Sequence, residues 1–477
     1  ASERFVGPQT GALAGYFSLG SPPEYFSELR RPEDRDPRGY IVPSDQPDFP
    51  TATKFINTLI KNGVTVHRAT GDFQVEGKRY PRDSWVIMSA QAYRAHVLDM
   101  FEPQDHPNDF EYEGGPPIAP YDNAGYTLAY QMGVEFDRIL EGFDGPFEEV
   151  SGLASPPAGD VSGVDGAAGF LLSHAQRDVA TVTNRLLAQG HEVSWLDEGI
   201  SARGEDWPAG TVYVPAGPGV ADRLAEWAEE LGVRVQGVDT APAVPRTRLG
   251  EVRIGLWDQY GGSMPSGGVR FIFDRFEFPY EVVYPKELDA GNLRDRFDVL
   301  VFVTGAIPAA DGGGGDLESF FYGGAPENLP DEYEEMLGRV TVGETVPNLV
   351  QFMEEGGTIL VIGSSTVMAQ HAGLAASNHL VDGEGNALGE DKYYVPGSVL
   401  RVKVDNTRPL AYGLSEEVDI FFSNSPVMRM EPAVAERSVT PVAWFDSSEP
   451  LRSGWAWGQQ YLKGGVAVGE AKVGEGN

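Results

Sequence analysis

The sequence predicts an α/β protein: two related small α/β units followed by a doubly wound, mostly parallel domain. Three observations predict this fold class. One segment recurs without gaps later in the chain, strand patterns alternate with helical patterns after residue 251, and 41% of the 477 residues are hydrophobic, which is enough for substantial cores. We expect a lead-in segment, a first unit with a long wrapping loop, a second unit, and a last domain with a strand-rich C-terminal part, over residues 1–38, 39–155, 166–240 and 251–477.

The repeat joins residues 57–87 to residues 184–214 at a constant offset of 127 positions. Six residues of the first segment recur in the second: Asn57, Leu59, Gly63, Val66, Gly77 and Pro81 match Asn184, Leu186, Gly190, Val193, Gly204 and Pro208. A helix that ends at Gly63 or Gly190 is expected, because the left-handed residue after a helix favours glycine. A hairpin should then bring the chain back to a third strand. The segments therefore predict two units built on strand–helix–strand crossovers.

A closing helix is clearest in the second unit, where GVADRLAEWAEELGV places Leu224, Trp227, Ala228 and Leu231 at helical spacing. This stripe predicts core packing. Residues 156–169 and 239–250 are rich in Pro, Gly and Ala and are interpreted as linkers. The proline-rich stretch between the repeats predicts an ordered loop that wraps a neighbouring surface.

The last domain begins at Glu251 with strands VRIGLWD, YEVVYP, FDVLVFV and TILVIG, separated by helical patterns. This alternation predicts a parallel, doubly wound sheet. The strands after residue 390 should extend that sheet at one edge. The glycine run at 311–316 predicts a flexible loop.

The stretch TILVIGSSTVMAQHAGL, residues 358–374, has the outline of a nucleophile elbow. Gly363 should end a central parallel strand, and Ser364 and Ser365 should begin the turn and cap the following helix. Val367 stands where the elbow needs a second glycine, and His371 lies about 10 Å along the helix from Ser364. A structural turn is therefore the favoured interpretation, with ligand contact as the alternative.

The loop DQYGGSMPSGG, residues 258–268, follows the first strand of the last domain. In a doubly wound sheet that position faces the ligand crevice, and free backbone N–H groups there could hold an anion. The alternative is a tight structural loop. Gly261, Gly262, Ser263 and Ser266 are therefore weak candidates for ligand binding, together with Ser364 and Ser365.

Composition excludes several classes of function. The net charge of −35 disfavours nucleic acid as a partner, and the absence of cysteine removes thiolate chemistry and disulfides. The seven histidines form no zinc-binding pattern, and the loop DGEGN at 382–386 has Tyr393 where a calcium loop needs a carboxylate. No catalytic or metal-binding residue is therefore assigned, and no apolar stretch is long enough to predict a membrane span. Since the chain lacks an initiator Met and its last residues fall in a predicted hairpin turn, we expect both ends to be cut from a longer polypeptide.

Five runs carry a family resemblance: NTLIKNGVTVHRAT, VLDMFEPQDHPNDF, GLWDQYGGSMPSGG, FEFPYEVVYP and PLRSGWAWG. They resemble the C-terminal region of large bacterial secreted zinc carboxypeptidase-like (carboxypeptidase A-like) proteins over nearly the whole chain. The resemblance implies an extracellular or periplasmic location and an upstream peptidase domain that holds zinc, with no cofactor in this chain. It also implies a class I glutamine amidotransferase-like fold for the last domain. In that fold the elbow nucleophile is cysteine, whereas Ser364 and Ser365 stand here.

The sequence thus predicts a non-catalytic accessory region that supports the upstream peptidase domain or binds peptide or glycan. Two alternatives stay open. One is a structural surface protein that self-assembles through exposed strand edges. The other is an enzyme, a serine hydrolase that uses Ser364 or Ser365.

Overall fold

The computed structural model describes residues 35–113, 115–309, 329–431 and 439–477. Most of the expected lead-in segment and the whole glycine run at 311–316 lie outside the described residues. The chain divides into two units. The first holds the described residues up to Glu102 together with Met132–Pro157, and the second holds Pro103–Gln131 together with Ala158–Asn477.

The first unit contains one five-stranded sheet, a separate hairpin and two helices. Its elements in chain order are β1 (Gly39–Val42), α1 (Phe49–Lys61), β2 (His67–Ala69), β3 (Phe73–Val75), β4 (Lys78–Tyr80), β5 (Trp85–Met88), α2 (Arg94–Phe101), β6 (Asp137–Ile139) and β7 (Phe147–Glu149). The strands lie in the order β6-β1-β5-β2-β7, and β3 pairs only with β4.

Helix α1 shows why the repeated segment folds as it does. The side chain of Asp48 accepts a hydrogen bond from Thr51 N at 3.3 Å, which satisfies one N–H group of the first turn. Phe55 and Leu59 are buried on its inner face. The helix is followed by Gly63 at φ +87°, in the left-handed region that the sequence predicted for this position.

The second unit begins with α3 (Leu128–Gln131) and then repeats the same element order. The elements are β8 (Val161–Ser162), β9 (Gly169–Leu172), α4 (Val179–Ala188), β10 (Val193–Leu196), β11 (Ile200–Ala202), β12 (Glu205–Trp207), β13 (Val212–Pro215), α5 (Val220–Leu231), β14 (Val235–Val238) and β15 (Arg246–Leu249). The strand order β14-β9-β13-β10-β15 matches that of the first sheet, and each neighbouring pair in both sheets is antiparallel. Strand β8 adds a parallel pairing to β14.

The crossover connection differs from the expectation in one respect. Strands β1 and β2 run parallel but do not pair with each other, because β5 lies between them and is antiparallel to both. Strand β13 has the same place between β9 and β10. In the second unit Leu224, Trp227 and Ala228 of α5 are buried, which confirms the predicted packing face.

The interpretation of residues 156–169 and 239–250 as linkers was wrong in part, because β8 lies in the first range and β15 in the second. Strand β15 has the sequence RTRL and is a sheet edge, and its three N-terminal side chains are exposed. An edge strand with polar side chains shows no hydrophobic alternation, so the sequence pattern did not reveal it.

The last part of the second unit first forms a four-stranded sheet in which every pairing is parallel, with strand order β17-β16-β18-β19. Helices of this part pack on a core that includes Leu256, Phe302 and Leu349. Its elements are β16 (Ile254–Trp257), α6 (Met264–Arg275), β17 (Tyr280–Val283), α7 (Pro285–Asp289), β18 (Val299–Phe302), α8 (Asp331–Glu334), α9 (Thr345–Glu354), β19 (Thr358–Val361) and α10 (Met368–His371), with short 3-10 turns at Leu293–Asp295 and Gly363–Val367.

Strand β19 lies at the edge of this sheet and not at its centre, which corrects the expectation for Gly363. Its continuous apolar sequence suggested cover on both faces. Leu360 is instead 48% exposed. The α/β fold class is confirmed.

The strands that follow form a separate antiparallel sheet and do not extend the parallel one, which corrects a second expectation. Their order is β20-β23-β26-β24-β21-β22, and β25 also pairs with β21. The elements are β20 (Ala376–Asn378), β21 (Ser398–Val404), β22 (Glu417–Phe422), β23 (Met428–Met430), β24 (Val439–Trp444), β25 (Leu451–Ser453) and β26 (Val466–Ala471), with 3-10 turns at Pro409–Ala411 and Gln459–Leu462.

The loop that precedes α3 lies against this antiparallel sheet, as the sequence predicted. The backbone N–H groups of Ala124 and Gly125 both donate to Gly397 O at 2.9 Å. Gln104 N donates to Ser453 Oγ at 2.9 Å. Among the described residues, no helix combines the length and the apolar character that a membrane crossing requires.

Candidate functional site

The serine pair follows the end of β19. Gly363 takes φ +60°, and a Cβ atom at this position would lie 1.9 Å from Thr304 Oγ1. The chain then turns through a 3-10 segment, Gly363–Val367, before α10 begins. Glycine is required here because the backbone is left-handed and the neighbouring loop leaves no room for a side chain.

Ser365 is fully buried and its hydroxyl bridges two backbone groups of the loop after β18. Its Oγ accepts a hydrogen bond from Ile307 N at 3.1 Å and donates one to Val303 O at 2.5 Å. Both functions of the hydroxyl are therefore used to hold the loops after β18 and β19 together.

Ser364 is exposed, and its Oγ accepts a hydrogen bond from Gly305 N at 2.8 Å. The candidate base on the same segment, His371, has its Nε2 atom 2.8 Å from Pro308 O. The expected role as helix caps is corrected, because neither the 3-10 turn nor α10 has a side-chain cap. The hydroxyls instead accept N–H groups of the neighbouring loop.

The glycine-rich loop after β16 is organised by the buried carboxylate of Asp258. Its Oδ1 accepts hydrogen bonds from Gln259 N at 2.9 Å and from Ser263 N at 2.8 Å, and its Oδ2 pairs with Arg270. The backbone turns through Gly261 and Gly262 at φ +86° and +82°. An internal carboxylate thus occupies N–H groups that an external anion would need.

The remaining two candidates of this loop lie at the start of α6. Ser263 is its N-cap, and its Oγ is 3.5 Å from Ser266 N. Ser266 is fully buried, and its Oγ has no hydrogen-bond partner among the described residues. These positions fit the tight structural loop better than the anion site.

A cleft of about 330 Å³ opens beside the serine turn. Its walls come from the turn and α10, from β20 and the loop after it, and from the segment between β22 and β23. The lining residues are Ser364, Thr366, Val367, Ala369, Gln370, Ala376, Ser377, Asn378, Leu380, Ala387, Leu388, Tyr393, Asn424, Ser425, Pro426, Val427 and Met428. Of the six candidates from the sequence, Ser364 lines this cleft and the other five do not.

Two lining residues were missed in the sequence. Tyr393 is 8% exposed, and its hydroxyl has no hydrogen-bond partner among the described residues. Burial raises the pKa of this hydroxyl above its usual value, so the group is a neutral donor at physiological pH. Asn424 takes φ +42°, and its Oδ1 accepts from Val395 N at 2.9 Å. The Asn-Ser-Pro turn signal at 424 to 426 marked a loop but gave no reason to place it beside Ser364.

The first unit contains a cavity of about 290 Å³. Its lining includes Arg68, Trp85, Glu148 and Glu149, next to the edge strand β7. The charges are of both signs, and no candidate from the sequence lies here.

No group of three or more His, Asp or Glu side chains that could hold a metal ion occurs in the part of the chain that the structure describes. The loop at 382–386 is a turn: Asp382 Oδ1 accepts from Glu384 N and Asn386 N, both at 2.9 Å. Its carboxylate thus serves the local backbone.

No family model matches this chain, and no curated protein matches it either. Two solved structures are similar to it. One is a GMP synthase subunit from Thermoplasma acidophilum, 14% identical over 40% of this chain and 72% of its own, with a TM-score of 0.25. The other is a ThuA-like protein from Bacteroides uniformis, 9% identical over 46% of this chain and 78% of its own, with a TM-score of 0.24. Both similarities are too weak to carry an argument about function.

Proposed function

We propose that this chain is a non-catalytic accessory region that binds a glycan or a peptide within a larger secreted zinc metallocarboxypeptidase-like protein. One observation carries the non-catalytic part: the hydroxyls of Ser364 and Ser365 hold the backbone of the neighbouring loop, beside an open cleft. The turn has the outline of an elbow, and its chemistry is that of a brace.

A serine nucleophile needs a base within hydrogen-bond reach and an accessible oxygen. Ser365 is buried and its hydroxyl proton is donated to Val303 O. Ser364 is exposed, but the hydrogen bond it accepts comes from a backbone amide and not from a histidine. Binding at the cleft requires no such base, so binding is the function that this geometry supports best.

The link to a peptidase rests on the sequence resemblance alone. In this proposal the zinc belongs to a domain upstream of Ala1, that domain is the partner of this region, and the protein works in the periplasm or outside the cell. The amidotransferase-like character of the last domain is part of the same proposal. Amidotransferase chemistry is not, because Ser364 and Ser365 occupy the turn where that family has cysteine.

The test is a direct search for serine reactivity. The chain is treated with a fluorophosphonate probe and assayed for hydrolysis of p-nitrophenyl acetate, with Ser364→Ala as the matched variant. We expect no labelled serine and an ester hydrolysis rate that is the same in both proteins. Probe labelling at Ser364, or an esterase rate lost in Ser364→Ala, would show a catalytic elbow and refute the proposal.

A further inference from the structure

We infer that the cleft beside Ser364 binds an uncharged saccharide and that the Tyr393 hydroxyl donates a hydrogen bond to one of its oxygens. The inference rests on the proposed ligand-binding function and names the ligand class and its main polar contact. Charge, hydrogen-bond donors and size of the cleft each favour this ligand.

The charge of the lining selects against ionic ligands. Every residue that lines the cleft is uncharged at neutral pH. A phosphate, a carboxylate or an ammonium group would lose its hydration here without gaining a counterion, and burial of an unpaired charge is strongly unfavourable. A phosphorylated metabolite and the free carboxylate of a peptide C-terminus are therefore poor ligands for this cleft.

The polar side chains of the lining offer donors. Ser364 Oγ accepts from Gly305 N, which leaves its proton for a ligand. Asn424 uses its Oδ1 for Val395 N, which leaves its side-chain NH₂ group. The Tyr393 hydroxyl is the third donor. Saccharides match such a set because each hydroxyl or ether oxygen can accept a hydrogen bond.

Apolar side chains lie between these donors. Leu380, Leu388 and Val427 are part of the same lining. A sugar ring presents C–H groups on its faces and oxygens at its rim, so it can contact apolar and polar wall atoms together. The cleft volume of about 330 Å³ is at the lower end of the range for small-molecule sites, which suits one or two sugar rings.

Tyr393 is the strongest single indication of a ligand. Nearly all buried polar atoms in proteins have a hydrogen-bond partner, and an unpaired one is unfavourable. The Tyr393 hydroxyl is buried without a partner in the described part of the chain. A ligand oxygen in the cleft would supply the missing acceptor.

The experiment is isothermal titration calorimetry of the chain with four probes: maltose, cellobiose, glucose 6-phosphate and acetyl-alanyl-alanine amide. We expect maltose or cellobiose to bind and the phosphate and the blocked dipeptide to bind more weakly. Tyr393→Phe should weaken the disaccharide about fivefold, the equivalent of one hydrogen bond. Tyr126→Phe, which changes an exposed ring outside the lining, should bind the disaccharide as the parent does.

A melting curve without ligand shows whether Tyr393→Phe is folded. Because the hydroxyl has no partner to lose, its melting temperature should equal or exceed that of the parent. The inference is overturned if neither disaccharide binds, if either of the other two probes binds more tightly, or if Tyr393→Phe binds as the parent does. These outcomes leave the esterase and probe-labelling results unchanged, so failure of this inference is distinct from failure of the non-catalytic function.

Discussion

The side chain of Asn57 and the backbone of Ala154 form a reciprocal pair of hydrogen bonds. Asn57 Nδ2 donates to Ala154 O at 2.8 Å, and Ala154 N donates to Asn57 Oδ1 at 2.7 Å. The amide thus acts as a short strand partner for a segment that crosses α1. The matching residue of the second segment, Asn184, donates to Phe276 O at 2.8 Å. An asparagine that recurs in the sequence therefore anchors a crossing backbone in both places.

This arrangement predicts unequal costs for the two asparagines. Asn57→Ala removes two hydrogen bonds and should lower the free energy of unfolding by about 2 kcal/mol, whereas Asn184→Ala removes one and should cost about 1 kcal/mol. Urea denaturation of both variants measures the difference. A smaller loss for Asn57→Ala than for Asn184→Ala would contradict the pairing described for Ala154.

The serine brace predicts a second difference. Ser365→Ala leaves the buried N–H of Ile307 without a partner and should cost about 1–3 kcal/mol of folding stability. Ser364→Ala frees an N–H group that water can reach, so its cost should stay below about 1 kcal/mol. Both are measured as shifts of the urea midpoint at constant slope. Equal midpoints for the two variants would show that Ser365 does not brace the loop.

The two buried histidines predict how stability depends on pH. Burial lowers the pKa of His174, whose Nδ1 is 3.1 Å from Gly210 O, and burial lowers the pKa of His379 as well. A histidine with a lowered folded pKa binds fewer protons in the folded than in the unfolded state. Stability is therefore fully present above the unfolded pKa of 6.5 and falls as the pH drops from 6.5 towards the folded values.

The measurement is the free energy of unfolding at pH 7.5 and at pH 5.5. The parent should lose stability across this interval, and His174→Gln should lose less. His191→Gln is the control, because His191 lies outside this pair. If His174→Gln loses as much stability on acidification as the parent, protonation of His174 does not contribute.

Local rules predicted the turns of the fold. The hairpins of both repeats turn through Gly77 and Gly204 at φ +86° and +83°, which a sequence of short strands around a glycine anticipates. The strands that complete the sheets were harder. Strand β6 has three residues and joins β1 from far along the chain, so neither its length nor its pattern identified its partner.

The candidate site was predicted in part for the same reason. The position of Ser364 and Ser365 after a strand follows from the glycine and the apolar run before them. Their partners, Gly305 and Ile307, belong to another loop, and only the register of β18 beside β19 brings them close. Tyr393 enters the cleft through the antiparallel sheet, a tertiary relation without a local signature.

The position of β5 between β1 and β2 has a consequence for the order of folding. The strand that is made last of the three is the one that the other two need as a partner, and β13 imposes the same order on β9 and β10. On a growing chain, β1 and β2 therefore keep open edges until β3, β4 and β5 have emerged. Such edges attract other chains. A nascent polypeptide that stalls just before Trp85 or Val212 would be most prone to aggregate, and a chaperone would be most useful at those two points of synthesis.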